Sequence, residues 1–326
     1  MSRLDPALAA TRVAVRRVLA EGAPGDVAVV ACSGGADSTA LVAATVFEAT
    51  KVGVRVVGVT VDHGMQAGSA DQAATTVELM ARLGVDETLT ATVQVDARGM
   101  GPEAAAREAR YQVLGQVAEQ VGARWVLLGH TRDDQAETVL LGLARGSGGR
   151  SVAGMRRRFD RCVRPFLDVS RAQTEAACAA LGVTAWQDPH NADPSFTRVR
   201  VRREVLPLLE RELGPGVTES LARTADLLRP DMELLDSMAD AAFASVSTAT
   251  GLSVTGLAEL PESLRTRALR AAAVAAGALP DELFHEHVVE VDRLVTDWRG
   301  QRWIDLPGHV RALRADGEVR FAANPH

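Results

Sequence analysis

The six residues Ser33-Gly34-Gly35-Ala36-Asp37-Ser38 carry the densest chemistry in this chain. They follow an apolar run, Val27 to Ala31, and open an Ala/Val-rich stretch from Asp37 to about Ala49, so the pattern predicts a strand, a glycine turn and a helix. Such a turn offers free backbone N–H groups, the positive end of a helix dipole and two hydroxyls, which together form an anion site. The glycines let the main chain approach a phosphate closely, and Asp37 can hold Mg²⁺ against it. A Walker A loop needs G-x-x-x-x-G-K-[ST], and no lysine stands here; a G-x-G-x-x-G dinucleotide fingerprint is missing too. Kinase-like and GTPase-like mechanisms are therefore disfavoured. The alternative without function is a plain glycine turn capped by Ser or Asp.

Other chemically useful residues stand at intervals along the chain. Glu103, Arg107 and Arg110 fall at i, i+4 and i+7, one face of a helix. In Gly129-His130-Thr131-Arg132-Asp133-Asp134-Gln135-Ala136-Glu137-Thr138, His130 stands at a strand end, while Asp133 and Glu137 share a face of the next helix. Asp62-His63-Gly64 sits at a further strand end, where His63 either touches a ligand or only satisfies its turn.

The elements that must position these groups follow from the hydrophobic pattern. Strand-like runs at 27–31, 54–61, 88–95 and 125–128 alternate with helical patterns at 37–49, 70–83, 102–121 and 133–144. This alternation, with continuous apolar strands, predicts an α/β fold with a parallel sheet covered by helices on both faces. In such a sheet ligands sit beyond the carboxyl ends of the strands, where Ser33 to Ser38, Asp62-His63-Gly64 and Gly129-His130-Thr131 would share a pocket. Later segments read as helices at 170–181, up to about 240, at 261–276 and at 281–297. An Asp316-Gly317 hairpin joins alternating runs at 310–313 and 319–322. The helix-breaking cluster Leu213-Gly214-Pro215-Gly216 places a domain boundary there: residues 1–214 as the catalytic domain, 215–326 as a smaller, mainly helical one.

A chain of 326 residues is long enough for two domains, and 47% hydrophobic with 24% charged residues is ordinary globular composition. No run approaches the roughly 18 apolar residues of a membrane span, and the first residues carry no signal-peptide core, so a cytoplasmic protein without membrane association is expected. Cys32, Cys162 and Cys178 form no C-x-x-C pair, which indicates neither a disulfide framework nor a zinc or iron–sulfur site. The formal net charge of -6 does not by itself suggest nucleic acid. Arginines nevertheless cluster between Arg145 and Arg171, and again at Arg198, Arg200, Arg202 and Arg203, as a phosphate-tracking surface would require. Lys51 is the only lysine, so an arginine-rich solvated surface is the bland alternative.

Taken together, S-G-G-x-D-S, D-H-G, E-x-x-A-R-x-x-R-Y, H-x-x-D-D-Q-x-E-T and R-G-S-G resemble the tRNA(Ile)-lysidine synthases of the PP-loop, or N-type ATP pyrophosphatase, superfamily. The resemblance spans roughly residues 25–210 and includes Arg164-Pro165-Phe166-Leu167 and the run from Asp188 to Pro207. Val199 stands where the family usually has asparagine. The resemblance implies an ATP-dependent ligase that adenylates the C2 oxygen of the wobble cytidine in the CAU anticodon of tRNA(Ile). Free lysine then displaces AMP. It implies ATP and Mg²⁺ at Ser33, Gly34, Gly35, Ala36, Asp37, Ser38, Asp62, His63 and Arg110, with Asp37 on the metal. Asp37, Arg107, His130, Asp133, Asp134 and Glu137 would be catalytic, and Arg145, Arg150, Arg198, Arg200, Arg202 and Arg203 would meet RNA. A homodimer is left open, and the C-terminal domain would recognise tRNA.

The residue chemistry suits that expectation. Lysine is a cation, for which Asp133, Asp134 and Glu137 supply carboxylates, unless these only decorate a solvated helix start. One of them, or His130, could take the proton of the attacking amine. Arg107 and Arg110 could neutralise developing phosphate charge, as a Walker lysine does. The competing readings are a tRNA thiolase of the same superfamily, a small-molecule amidating synthetase, and an ATP-sensing module without turnover.

Overall fold

The structure is a computed structural model that describes residues 5–62, 68–93, 102–146, 148–188 and 192–324. His63, Gly64, Ser147 and Pro189-His190-Asn191 lie outside these residues, as does the side chain of Glu103. The chain divides into two compact units, Met1–Leu141 with Gly154–Ala225, and Gly142–Ala153 with Asp226–His326.

The first unit opens with α1 (Pro6–Leu19), then β1 (Val27–Ala31), α2 (Ala36–Val52), β2 (Arg55–Asp62), α3 (Ser69–Arg82) and β3 (Glu87–Thr92). It continues through α4 (Pro102–Gln120), β4 (Trp125–Leu127) and the start of α5 (Arg132–Ala144). After α6 (Gly149–Val152) in the second unit, the chain returns as β5 (Arg158–Phe159), β6 (Cys162–Val163) and α7 (Arg171–Ala180). The helical segments α8 (Thr197–Arg200) and α9 (Leu206–Leu213), joined by a widened turn at Val201–Val205, lead to α10 (Val217–Val246). Six strands form one sheet in the order β3-β2-β1-β4-β6-β5. All neighbours are parallel except β5, which pairs antiparallel with β6 at the edge.

The apolar run of β1 is continuous because both faces of the sheet are covered. Ala28 and Val30 pack with Leu19 of α1, Leu41 of α2 and Ala177 of α7. Val27 and Val29 face the other way, onto Leu114 and Ala118 of α4. Each fully buried aliphatic side chain contributes about 1.5–3 kcal/mol, so alternate positions of this one strand anchor both helical layers. The chain runs from β1 outward to β2 and β3, then crosses back through α4 to β4 on the other side of β1. The order therefore reverses between β1 and β4, the place where a crevice opens beyond the carboxyl ends of the strands.

Most predicted elements lie within a few residues of the observed ones. The helix expected over 281–297 begins only at His285 (α13, His285–Thr296), where the Phe284 amide is bonded by His287 Nδ1. The β5–β6 hairpin falls inside the arginine cluster between Arg145 and Arg171, where the sequence predicts no strand. Two-residue strands have no periodicity to detect, and β6 is recruited by pairing with β4.

The second unit carries a four-stranded antiparallel sheet, order β7-β10-β9-β8, with β7 (Leu252–Ser253), β8 (Ile304–Leu306), β9 (Val310–Ala315) and β10 (Glu318–Ala323). The Asp316-Gly317 turn joins β9 to β10, with Asp316 at φ 50° and Gly317 at φ 77°. α11 (Val254–Glu259), α12 (Glu262–Ala275) and α13 bury Leu257, Leu269 and Leu294 together with Ala312 and Val319 of the sheet. Among the described residues no helix is long and apolar enough to cross a membrane.

Candidate active site

The turn after β1 is held open by its own side chains. Ser38 Oγ accepts from the Ser33 amide at 3.1 Å and donates to Gly35 O at 3.0 Å. Gly34 adopts φ +84°, and a Cβ there would stand 2.9 Å from Thr76 Oγ1 and 3.0 Å from Gln72 Nε2, so glycine is required both by conformation and by crowding. The Gly34 amide donates to the Cys32 sulfur, while among the described residues the amides of Gly35, Ala36 and Asp37 have no protein acceptor. These are the first donors of α2, and with the helix dipole they make a site for a polyphosphate.

Gly129 brings the second motif to this turn. A Cβ at Gly129 would lie 3.1 Å from Ser38 Cα and Ser38 N, so only glycine lets the end of β4 pack against the first turn of α2. The next residues start α5 beside the phosphate turn. Thr131 caps that start: its amide and hydroxyl donate to Asp134 Oδ2 at 2.8 and 2.9 Å. Gln135 is fully committed to architecture, bonding both the amide and the carbonyl of Met155.

The acidic groups converge on two arginines. Arg171 Nη2 donates to Asp134 Oδ1 at 2.7 Å, Nη1 to Glu137 Oε1 at 3.4 Å and Nε to Asp37 Oδ2 at 3.4 Å. Its backbone amide donates to Asp133 Oδ2 at 2.8 Å. Arg202 grips Glu137 with Nε and Nη2 at 2.6 and 3.0 Å, and its Nη2 reaches Asp134 Oδ1 at 3.2 Å. Glu137 is completely buried, so this pairing is what allows its charge inside. The Thr174 hydroxyl donates to Asp37 Oδ1. Four carboxyl groups therefore face two guanidiniums, an excess of acid beside an array of amide donors.

Burial lifts the Asp37 carboxyl to about 6, against the pull of Arg171 and the Thr174 hydroxyl. Burial would also raise Asp134, but Arg171, the Thr131 amide and Arg202 together hold it below its ordinary value. A carboxylate at the start of α2, bonded through only part of its lone pairs and next to unpaired amides, fits a Mg²⁺–polyphosphate complex by donor type.

His130 belongs to a separate chain of contacts. Arg164 Nε donates to His130 Nδ1 at 3.3 Å, and Arg164 Nη2 donates to Tyr111 Oη at 3.0 Å. Arg107 Nη2 also meets Tyr111 Oη, at 3.2 Å. Burial first, then Arg164, Arg107 and Arg110, push His130 down to about 3, with Asp134 opposing them. The imidazole is therefore neutral, with Nδ1 as acceptor and Nε2–H as donor. Its folded value lies below the unfolded 6.5, so its contribution to stability is complete above pH 6.5 and is lost as pH falls from 6.5 towards 3. Histidine proton chemical shifts should show one imidazole that stays neutral at pH 5. His130→Asn should flatten the loss of stability between pH 6.5 and 4; an unchanged acid profile would count against this assignment.

Of the expected site residues, the structure gathers Asp37, Asp133, Asp134 and Glu137 around Arg171, at the turn formed by Ser33 to Ser38, while His130 meets Arg164 and feels the charges of Arg107 and Arg110. Asp62 ends β2, two strands from β4, on the same edge of the sheet. Arg202, expected on an RNA surface, turns inward onto Glu137. Arg200 folds onto the carbonyls of Pro194 and Ser195, and Arg203 lies near Ala192 O at 3.5 Å. Arg198 is half-exposed on α8, Arg145 is exposed, and Arg150 pairs with Asp236 at 2.6 Å within the second unit. Arg171, Thr174, Arg164 and Tyr111 were not singled out as site residues from sequence. For Arg171 a signal exists: Ser170 and Gln173 form a capping box, which puts Arg171 in the first turn of a helix rather than in a loop.

Comparison with known proteins agrees with this geometry. A family model for a PP-loop domain matches residues 10–209, and one for a TilS substrate binding domain matches residues 252–320. A tRNA(Ile)-lysidine synthase of Thermobifida fusca is 54% identical over 99% of this chain and 100% of its own. One from Streptomyces coelicolor is 51% identical over 96% of this chain and 97% of its own. Among solved structures, the U34-tRNA thiolase NcsA from Methanococcus maripaludis, solved with its [4Fe-4S] cluster, shares the fold at TM-score 0.57 and 17% identity, over 68% of this chain and 80% of that one. A phosphate turn at the switch point of the sheet, flanked by the H-x-x-D-D-Q-x-E-T helix and matched by relatives along nearly its whole length, places this chain in the tRNA(Ile)-lysidine synthase family of PP-loop proteins.

Proposed function

We propose that this chain ligates free L-lysine to C2 of the wobble cytidine in the CAU anticodon of tRNA(Ile), with conversion of ATP to AMP and pyrophosphate. It is a ligase that uses ATP and acts on tRNA, as its family does. The observation that carries the reading is the meeting of unpaired amides at residues 35–37 with an excess of carboxyl groups on α5.

The cytidine O2 attacks the α-phosphorus and pyrophosphate departs, held by the amides of the turn. The amine of lysine then attacks C2, AMP leaves, and the amine proton passes to a base. Mg²⁺, held by Asp37, would neutralise polyphosphate charge. Arg107 and Arg110 add positive charge on the side of His130. Asp133 accepts only a backbone N–H, so among the described residues it is the carboxylate of the cluster with no guanidinium hydrogen-bonded to it. It is therefore better suited than Glu137 to meet the substrate ammonium. Asp134 and Glu137 hold the pocket's charge through Arg171 and Arg202. Residues 1–214 would form the catalytic domain and 215–326 the part that recognises tRNA, with Arg145, Arg150, Arg198, Arg200 and Arg203 as phosphate contacts. The enzyme would work in the cytoplasm, where its substrates are.

A thiolase reading is disfavoured by the cysteines. Cys32 and Cys178 are buried, and burial first, then Asp37, pushes the Cys178 thiol up to about 11, so neither is a ready thiolate. The test is direct. Protein with ATP, Mg²⁺, radiolabelled lysine and CAU-anticodon tRNA(Ile) should transfer label to the RNA. Absence of label, with a working lysidine synthase as control, refutes the reading; pyrophosphate release without RNA would favour a small-molecule synthetase.

A further inference from the structure

Three aromatic side chains of the second unit, Phe284, Trp298 and Trp303, are exposed rather than packed in its core, and the two tryptophans stand close together in sequence. Trp298 is 48% exposed and Trp303 is 41% exposed. Both belong to the turn that joins α13 to β8, and β8 is the edge strand of the four-stranded sheet. Each carries arginine against its ring. The Arg314 guanidinium lies 4.6 Å from the Trp298 ring centre; Arg311 and Arg302 lie 4.6 and 5.6 Å from that of Trp303.

The surrounding contacts hold this surface in shape. Trp303 Nε1 donates to Asp305 Oδ2 at 3.2 Å, and Arg311 Nε donates to Asp305 Oδ1 at 2.8 Å, so one carboxylate orients both ring and guanidinium. Arg314 Nη1 donates to Leu294 O at 2.9 Å. Gln301 ties the turn together by accepting from the Arg299 amide at 2.8 Å. Arg302 is exposed, and among the described residues it has no carboxylate partner. Arg299, Arg302, Arg311 and Arg314 outnumber Asp297 and Asp305, so the patch is positive on a protein whose formal net charge is -6.

An exposed indole with a guanidinium at its face wastes apolar surface unless a planar partner covers it. An unpaired nucleotide supplies what the patch lacks: a base to stack on indole, and a flanking phosphate for an arginine without a carboxylate. We propose that Trp298 and Trp303, with Arg302, Arg311 and Arg314, form a stacking surface for an unpaired nucleotide of the tRNA other than the reacting cytidine. This rests on the tRNA reading above.

The test uses the full chain and steady-state lysine transfer. Arg302→Glu breaks no ion pair among the described residues, although it gives up the contact of Arg302 with the Trp303 ring, and Trp298→Ala removes one stacking face. Each should raise the KM for tRNA by about fivefold to a hundredfold, the range of one lost base stack. The kcat at saturating tRNA and the KM values for ATP and lysine should stay within twofold. Trp303→Phe should keep most of the tRNA affinity. If both Arg302→Glu and Trp298→Ala keep the wild-type KM for tRNA while remaining folded, the proposal is overturned. It is likewise overturned if they instead disrupt self-association, which would make the patch a contact between copies. Wild-type protein that modifies no tRNA would overturn the function itself, a result read from the control rather than from the variants.

Discussion

Asp37→Asn will lower the rate of tRNA-dependent lysine transfer by roughly 10²–10³-fold, the usual loss when one preorganised electrostatic group at a reacting centre is removed. It will do so without destabilising the fold. The folded Asp37 carboxyl sits at about 6, above its ordinary value of 3.8, because burial disfavours its charge. The folded state therefore holds that proton more tightly than the unfolded chain, and stability declines as pH rises from about 3.8 to about 6. Asparagine removes the penalty and still accepts from the Thr174 hydroxyl, while Arg171 retains Asp134 and Glu137. A group that reduces stability yet remains at the mouth of an amide-lined turn is what a functional carboxylate looks like. Thermal unfolding and lysine incorporation measured on the same preparation decide it. Turnover within tenfold of wild type, or a melting temperature several degrees lower, would contradict the role given to Asp37.

Glu137→Ala should act through the opposite route. This side chain is fully buried, and it neutralises Arg202 with two hydrogen bonds and Arg171 with one. Its loss strips Arg202 of two of its three carboxylate hydrogen bonds, leaving Asp134 alone, in a site where both arginines are less than one-third exposed. Breaking a buried pair from one side costs about 3–5 kcal/mol, and partial exposure of the arginines puts this case near about 3 kcal/mol. For a unit of this size that corresponds to a fall of roughly 10 °C in melting temperature. Removing the charge from both partners, Glu137→Gln with Arg202→Gln, should recover much of the loss, because the two positions are coupled. A denaturant titration of the single and double variants measures this. A single-variant loss below about 1 kcal/mol would mean that the cluster is held by Asp134 and Arg171 alone.

The two variants separate what the cluster does. Asp37 stands in the first turn of α2 with its carboxyl raised by burial, whereas Glu137 fixes Arg202 and the one arginine, Arg171, that Asp37 and Asp134 share. Asp133 accepts only a main-chain hydrogen bond. A cationic substrate meeting this cluster would therefore find Asp133 first. Arg171 also ties the first turn of α7 to the first turns of α2 and α5, so the phosphate turn and the carboxylates are held as one assembly.

What sequence alone determined about this protein is local. The alternation of apolar strands and helices, the strand–glycine–helix context of Ser33 to Ser38, the i, i+4 placement of Asp133 and Glu137 and the Asp316-Gly317 hairpin all follow from period and turn chemistry. Neighbouring residues dictate those features, and neighbours are visible in a string. Only tertiary structure decided that Arg171 and Arg202 close the acidic cluster. Arg171 stands 134 positions from Asp37, and Arg202 stands 65 positions from Glu137. No periodicity links residues so distant; the crossover of the sheet between β1 and β4 and the docking of α7 bring them together. The same holds for Trp298 and Trp303, whose residue type alone fits a packed core as well as a surface. Exposure is a property of what the rest of the chain leaves uncovered, and it leaves both tryptophans exposed, with arginines against their rings.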